Sequence, residues 1–187
     1  KGESFAAGID TYTGETKWKH ARKADMCWTS PALLATASGP VVLLQSTDRL
    51  TAHDPASGKQ LWTFDKECKG IPSAVGSGEI ALIPSGGITA VRNAAGGGSP
   101  EVLWTSNKLD PGTPSPIVVD DQVLVVNGAG ALTAANIHDG EVSWRVRLKG
   151  SYWATPVVAG KHLYVVNRDG VGQVVQLGKS GEIVAEN

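Results

Sequence analysis

The sequence predicts an all-β protein built from a repeated four-stranded antiparallel unit, and three observations support this. The 187 residues include 23 Gly and 10 Pro, so turns are frequent and long helices are not expected. Tryptophan recurs at positions 18, 62, 104 and 144, at separations of 44, 42 and 40 residues. A proline opens an apolar run at positions 31, 72, 116 and 156, roughly in step with the tryptophans. The two series define one repeating unit of about 42 residues.

Within a unit, short apolar runs alternate with turn residues. Val118 and Val119 precede the Asp120-Asp121 pair, and the run 123–126 follows it and ends at Asn-Gly, which predicts a β-hairpin. A third short strand, a glycine-containing turn and a fourth strand carrying the tryptophan complete the unit. Four antiparallel strands in a unit of this length are typical of a β-propeller blade, whereas helical repeats would need apolar spacing near 3.6 residues.

Counting strands divides the chain into one half blade and four whole blades. The half blade is predicted at 1–20, and the whole blades near 30–64, 71–105, 114–146 and 154–187. The predicted domain, residues 1–187, is therefore a partial propeller of about four and a half blades.

Three units share a motif between the third and fourth strands. It reads Gly8-Ile-Asp-Thr-Tyr-Thr-Gly-Glu-Thr-Lys-Trp18, Ala52-His-Asp-Pro-Ala-Ser-Gly-Lys-Gln-Leu-Trp62 and Ala134-Ala-Asn-Ile-His-Asp-Gly-Glu-Val-Ser-Trp144. The motif resembles the tryptophan-docking sequence A-x-D-x-x-T-G-x-x-x-W of the PQQ-like, or quinoprotein alcohol dehydrogenase-like, β-propeller repeats, in their BamB-like branch. The resemblance implies a ring of seven or eight blades, with the remaining blades supplied by the rest of the chain or by another copy.

The chemistry of the motif predicts a structural role for its residues. A glycine fits a turn position of positive φ, an Asp or Asn bonds the turn amides, and the tryptophan packs on a neighbouring blade while its N–H finds an acceptor. The predicted docking residues are Asp10, Asp54, Asn136, Gly14, Gly58, Gly140, Trp18, Trp62, Trp104 and Trp144. We expect all four tryptophans to be largely buried between blades.

Two units depart from the motif. The third, from Ala90 to Trp104, carries about four extra residues in its turn, which predicts a surface excursion. The last has Ala185 where a tryptophan is expected.

Candidate binding residues lie on the loops that lead into each first strand. Trp28 and Trp153 both lie three residues before a strand-opening proline, so they are predicted at equivalent channel-rim positions, either to bind a ligand or peptide or to plug the channel. Cys27 and Cys68 both lie four residues before such a proline, at equivalent positions in consecutive blades, so a disulfide between them is allowed but not required.

Charge and composition exclude several classes of function. With 17 basic and 18 acidic residues, the chain lacks the positive surface that binding to nucleic acid needs. The uncharged stretch 26–47 is interrupted by Pro and Gly, so no transmembrane segment is expected. The four histidines show no metal-ligand spacing, and we expect no metal site and no cofactor.

The resemblance implies a non-enzymatic, extracytoplasmic scaffold, periplasmic or secreted, that binds a protein partner. Anchoring to a membrane by a preceding N-terminal segment is one form of this expectation. Two alternatives remain. One is a fragment of a PQQ-dependent dehydrogenase, which would need the quinone and calcium, and for which the adjacent Cys-Cys pair of such enzymes is missing here; the other is a ligand-sensing propeller domain.

Overall fold

The computed structural model describes residues 3–94 and 98–187. Within these residues the chain forms eighteen β-strands and one short 3-10 helix at Asn107–Leu109. Residues 1–2 of the predicted half blade and residues 95–97 of the predicted surface excursion lie outside the described residues. No helix in the described part of the chain has both the length and the apolar character needed to span a membrane.

The strands form one two-stranded and four four-stranded antiparallel sheets in sequence order. The two-stranded sheet contains β1 (Phe5–Ile9) and β2 (Thr16–Ala21). The first whole blade contains β3 (Ala32–Thr36), β4 (Gly39–Gln45), β5 (Leu50–His53) and β6 (Gln60–Phe64), and the second contains β7 (Val75–Ser77), β8 (Ile80–Pro84), β9 (Ile88–Arg92) and β10 (Glu101–Ser106). The third contains β11 (Ile117–Val119), β12 (Gln122–Val126), β13 (Ala131–Asn136) and β14 (Val142–Arg147), and the fourth contains β15 (Val157–Ala159), β16 (His162–Val166), β17 (Gly172–Gln176) and β18 (Glu182–Glu186). The prediction of four-stranded antiparallel blades is confirmed.

The hairpins form where the sequence supplies turn residues. Val119 of β11 pairs with Gln122 of β12, so Asp120 and Asp121 form the two-residue turn. Asp120 has a φ of 50°, the left-handed conformation that Asp tolerates better than most residues do.

A break in register separates the last two strands of every four-stranded sheet, and the two strands of the half blade. In the first whole blade Ala52 pairs with Trp62, but the next residue, His53, pairs with Gln60. The same shift occurs between Ala134 and Ala135 in the third blade. A bulge of this kind bends and twists the strand locally. It therefore recurs beside the docking tryptophan.

The hydrophobic core is divided among the spaces between adjacent blades. One cluster joins the first and second whole blades, and includes Trp62, Phe64 and Val91. A second joins the second and third blades around Leu82, and a third joins the last two blades around Trp144 and Val175. Neighbouring blades therefore depend on each other for burial of their apolar faces, as in other repeat architectures.

The structure corrects one part of the repeat alignment. β3, β11 and β15 each begin directly after a proline, but β7 begins after Ala74. Pro72 thus lies two residues before the equivalent position, although the loop from 65 to 74 has the same length as those at 22–31 and 107–116. Cys68 is consequently not equivalent to Cys27; the residue at the corresponding position is Gly70.

Candidate functional site

The motif turns are held by the side chain that begins them. The Asp10 carboxylate accepts hydrogen bonds from the backbone N–H groups of Tyr12 (3.0 Å) and Thr13 (2.9 Å). Asp54 accepts from both the N–H and the hydroxyl of Ser57, at 2.7 and 2.6 Å. These hydrogen bonds stabilise the carboxylate form and hold the pKa of Asp10 and of Asp54 below its ordinary value.

Each turn ends in a glycine at positive φ. Gly14, Gly58 and Gly140 have φ values of 74°, 72° and 74°, where a Cβ atom would be strained. Gly58 lies beneath the indole of Trp18, so closely that a Cβ on Gly58 would come within 2.5 Å of Trp18 Cδ2. Gly140 lies in the same way beneath Trp104. At Gly58 and Gly140 the glycine is therefore required both by the turn and by the ring, whereas at Gly14 only the turn requires it.

The indole N–H of each motif tryptophan donates a hydrogen bond to the next blade. Trp18 donates to the Pro55 carbonyl (2.9 Å), Trp104 to the Ile137 carbonyl (2.9 Å) and Trp144 to the Gly178 carbonyl (3.2 Å). Trp62 instead donates to the Asn93 side-chain oxygen, at 2.7 Å. The motif did not predict Asn93 as the acceptor for Trp62, because the third copy of the motif, which contains Asn93, is irregular in sequence.

The burial of the four tryptophans is uneven. Trp62 and Trp144 are only 3% and 8% exposed, but Trp18 and Trp104 are half-buried. Trp62 and Trp144 are thus the most buried of the four, and Trp18 and Trp104 remain partly accessible to solvent.

The loops at the opposite ends of the sheets carry the predicted rim residues. Trp28 is 69% exposed and Trp153 is 62% exposed, so neither ring is packed inside a channel in the described residues. Trp28 is fixed through its backbone, whose N–H donates to the Gly70 carbonyl at 2.7 Å. Trp153 has the Arg168 guanidinium 5.1 Å from its ring centroid. The structure places the two rings on the first and fourth whole blades rather than beside each other.

The two cysteines are free thiols. Cys27 Sγ lies 3.2 Å from the Thr29 hydroxyl, whereas Cys68 is buried in the cluster between the first and second blades. Burial raises the pKa of Cys68 to about 12, with a further contribution from the nearby Cys27.

A ladder of hydroxyl side chains supports the rim, and the sequence analysis missed it. The backbone N–H of Ser30 donates to Ser73 Oγ, that of Ser73 to Ser115 Oγ, and that of Ser115 to Thr155 Oγ1, each at 2.9 Å. Each of these residues lies two positions before the first strand of a whole blade, and they are separated from one another by 43, 42 and 40 residues. The sequence pattern that could have predicted this ladder is a Ser or Thr shortly before each first strand, followed by proline at three of the four positions.

Gln45 is a second support that the sequence did not reveal. This buried side chain donates to the Pro72 carbonyl (3.0 Å) and accepts from the Ala74 N–H (2.7 Å). It thereby fixes the loop that carries Cys68 and Gly70. The rim of the first two blades is therefore a preorganised surface, held by buried polar contacts.

The described residues do not bring together a metal-binding donor set. No group of three or more His, Cys, Asp or Glu side chains in residues 3–94 and 98–187 is arranged to hold a metal ion.

The repeated blades, their docked tryptophans and their glycine turns define a β-propeller of tryptophan-docking repeats. The chain belongs to the PQQ-like β-propeller repeat family, through a family model described as outer membrane protein assembly factor BamB that matches residues 2–67 and 84–184. No curated protein sequence matches the chain.

Solved structures agree on the fold. BamB from Moraxella catarrhalis is 17% identical with a TM-score of 0.67, and the match covers 98% of this chain and 70% of that one. The Cps50 (Swd1) β-propeller domain from Myceliophteria thermophila is 14% identical with a TM-score of 0.67, covering 98% and 68%. The quinohemoprotein alcohol dehydrogenase ADHIIG from Pseudomonas putida HK5 is 14% identical with a TM-score of 0.61, covering 79% of this chain but 32% of the enzyme. At these identities the likeness establishes the fold alone.

Proposed function

We propose that this chain belongs to a non-enzymatic, extracytoplasmic propeller scaffold that binds a protein partner through the rim loops, hereafter the rim surface: Met26, Trp28, Ile71 and Trp153. The observation that carries the proposal is the exposure of these apolar side chains, from 41% at Ile71 to 81% at Met26. Exposed apolar and aromatic groups on a preorganised surface are typical of protein interfaces.

The family and the rigidity of the rim support this proposal. The matching family model is described as an outer membrane protein assembly factor, which favours a role in protein assembly outside the cytoplasm. The ladder of hydroxyl side chains and Gln45 hold the rim backbone in place, so a partner would bind without much loss of loop entropy. The proposal needs neither a metal nor a cofactor.

The test is site-specific crosslinking followed by measured binding. A photo-reactive phenylalanine at position 28 of the full-length protein should crosslink to one partner in the native cells. Binding of that purified partner should then weaken at least about tenfold in a variant with Trp28→Ala and Trp153→Ala.

Tyr12→Ala is the matched control. Tyr12 is 97% exposed but lies in a motif turn, at the opposite end of the sheets from the rim loops. Its replacement should leave the affinity unchanged. Equal losses in Tyr12→Ala and in the double tryptophan variant would contradict a binding site at the rim.

The dehydrogenase alternative is tested on the same preparation. After addition of pyrroloquinoline quinone and calcium, we expect no oxidation of alcohols or sugars with an artificial electron acceptor. Turnover that depends on both additions would replace the scaffold proposal with the enzyme.

A further inference from the structure

A polar cleft of about 390 Å³ lies between the half blade and the first whole blade. Its walls come from the end of β2, from β4 and β5, and from the loop joining them. The side chains that the argument uses are His20, Arg22, Ser46, Thr51 and His53, with Lys23 at the edge. All of them lie within residues 20–53.

Arg22 is the central charge of this cleft. Its half-buried guanidinium donates from Nη2 to the Gln45 carbonyl at 3.2 Å and to the Ser46 hydroxyl, and Nη1 makes one long contact of 3.4 Å to Thr51 Oγ1. Within the described residues, no carboxylate lies within 4.0 Å of it and its Nε has no hydrogen-bond partner. Burial lowers the pKa of Arg22, and Asp48, which lies beyond that distance, partly offsets this by favouring the charged form; an anion bound in the cleft would favour it more strongly.

Further positive groups surround Arg22, and only one carboxylate lines the cleft. Lys23 and Arg49 both contact Asp48, at 3.8 and 3.3 Å. The lining therefore carries three fixed positive charges against one negative charge, before either histidine is protonated.

The two histidines extend the donor set along the wall. The rings of His20 and His53 lie 5.9 Å apart between centroids. His53 donates from Nδ1 to the Gly58 carbonyl at 2.9 Å, and its Nε2 lies 2.9 Å from Thr51 Oγ1. Burial lowers the pKa of His53, and the neighbouring His20 and Arg22 lower it further.

Part of this polar set is particular to the first interface. His20 follows its docking tryptophan by two positions, and the equivalents are Phe64, Ser106 and Val146. His53 occupies the place taken by Val91 and Val175 in later blades, where both residues are buried in apolar clusters. Thr51, in contrast, recurs as Thr89 and Thr133, so the two histidines distinguish this interface and the threonine does not.

We propose that this cleft binds a phosphate-type oxyanion, with Arg22 as the main charge partner and the Ser46 hydroxyl as an additional donor. A tetrahedral oxyanion can accept hydrogen bonds from several directions at once, which suits donors converging from two blades. A volume of about 390 Å³ accommodates the anion together with a small attached group. The phosphate can come from a soluble phosphomonoester or from a lipid headgroup.

The test measures binding to the full-length protein by calorimetry at constant ionic strength. The probes are inorganic phosphate, glycerol 3-phosphate, and phosphatidylcholine vesicles with or without phosphatidic acid. We expect Arg22→Gln to weaken phosphate binding at least about tenfold. Arg92→Gln is the matched control, because Arg92 and its ion-pair partner Glu101 are exposed on the second whole blade, away from the cleft. This variant should bind phosphate as the parent does.

Two further readouts keep the test decisive if Arg22→Gln fails to fold. Lys23→Gln changes an exposed edge residue and should weaken binding by a smaller factor. In the parent protein, bound phosphate should shift the NMR signals of the His20 and His53 rings and raise the pKa of His53. The histidines of the control sites, His138 and His162, should not respond.

The outcomes divide cleanly. If glycerol 3-phosphate binds but vesicles do not, the site takes soluble phosphomonoesters. If vesicles containing phosphatidic acid bind, the site takes lipid headgroups. Either assignment requires that Arg22→Gln or Lys23→Gln weakens the binding observed. Equal binding in Arg22→Gln, Lys23→Gln and Arg92→Gln, or no binding to the parent, overturns the proposal.

Discussion

The interface between the half blade and the first whole blade differs in chemistry from the interface that follows it. At both, a tryptophan lies on the next blade and donates its N–H across the gap, from Trp18 to Pro55 and from Trp62 to Asn93. Beside Trp18 lies the His20 ring, which is followed by the His53 ring, and Arg22 lines the same interface. Around Trp62 they are Phe64 and Val91, within an apolar cluster.

The comparison distinguishes the residues that dock one blade on the next from the residues that give each interface its chemistry. The tryptophan and its hydrogen bond set how adjacent blades meet, because they recur at chemically different interfaces. The position two residues after the tryptophan does not need to be apolar, so it is free to carry local chemistry. The first interface should accordingly be the less stable and the more pH-sensitive of the two.

The largest expected effect is truncation of the buried docking tryptophan. Trp62→Ala should lower the free energy of unfolding by about 3 to 5 kcal/mol, since it removes a buried ring and leaves a cavity. Trp18→Ala should cost about half as much, roughly 1.5 to 2.5 kcal/mol, because Trp18 is only half-buried. Urea unfolding of the full-length protein measures both, and equal losses would mean that the two interfaces do not differ.

A smaller effect tests whether the glycine serves the ring as well as the turn. Gly140 and Gly14 have the same φ of 74°, but a Cβ on Gly140 would lie 2.6 Å from Trp104 Cε3, whereas one on Gly14 would meet nothing within 4 Å. Gly14→Ala should therefore cost only the backbone strain, about 1 to 2 kcal/mol. Gly140→Ala should cost a further 1 to 3 kcal/mol or so, from the displaced indole. Thermal unfolding with near-ultraviolet dichroism reports both the stability and the tryptophan packing.

His53→Val tests the pH sensitivity of the first interface by installing the residue found in two later blades. Burial keeps His53 neutral, and its folded-state pKa lies below the ordinary value of 6.5. The unfolded chain therefore takes up a proton first, so the parent loses stability as the pH falls from about 6.5 through the folded pKa. The groups facing this ring are His20, Arg22, Thr51 and the Gly58 carbonyl.

In His53→Val this component should disappear, leaving a flatter dependence of the free energy of unfolding on pH. Near pH 7.5 we expect the variant to lie within about 1 kcal/mol of the parent, because an apolar residue suits this position elsewhere. Urea unfolding across this pH range provides the measurement. A pH dependence as steep as that of the parent would show that His53 is not the responsible group.

The smallest effect compares the two thiols, one beside each interface. Cys68 is buried and its pKa is about 12, so near pH 8 only about one molecule in ten thousand carries its thiolate. Iodoacetamide should modify Cys27, which is partly exposed, well before Cys68 in the native protein. Peptide mass spectrometry distinguishes the two sites, and prior labelling of Cys68 would contradict its burial.

The sequence predicted the blades because the repeat is written in local turn chemistry. Asp10, Gly14 and Trp18 lie close together in the chain, so their spacing alone indicates a turn followed by a strand. The one misaligned unit arose because Ala74 takes the place of the strand-opening proline and Pro72 lies two residues earlier in a loop of unchanged length, which a proline series cannot register. The ladder of hydroxyl side chains escaped notice because each of its hydrogen bonds joins residues 40 to 43 positions apart.

By itself the sequence determined the strand order, the four-stranded blade and the glycine turns, since these depend on patterns within a single unit. Only the tertiary structure decided which side chains meet across a gap between units: Asn93 as the acceptor for Trp62, Gln45 as the support of the second loop, and Arg22 with His53 in one polar cleft. The physical reason is that burial and charge pairing depend on which surfaces come together in space. Two units of similar pattern can therefore form one interface that is apolar and another that is charged.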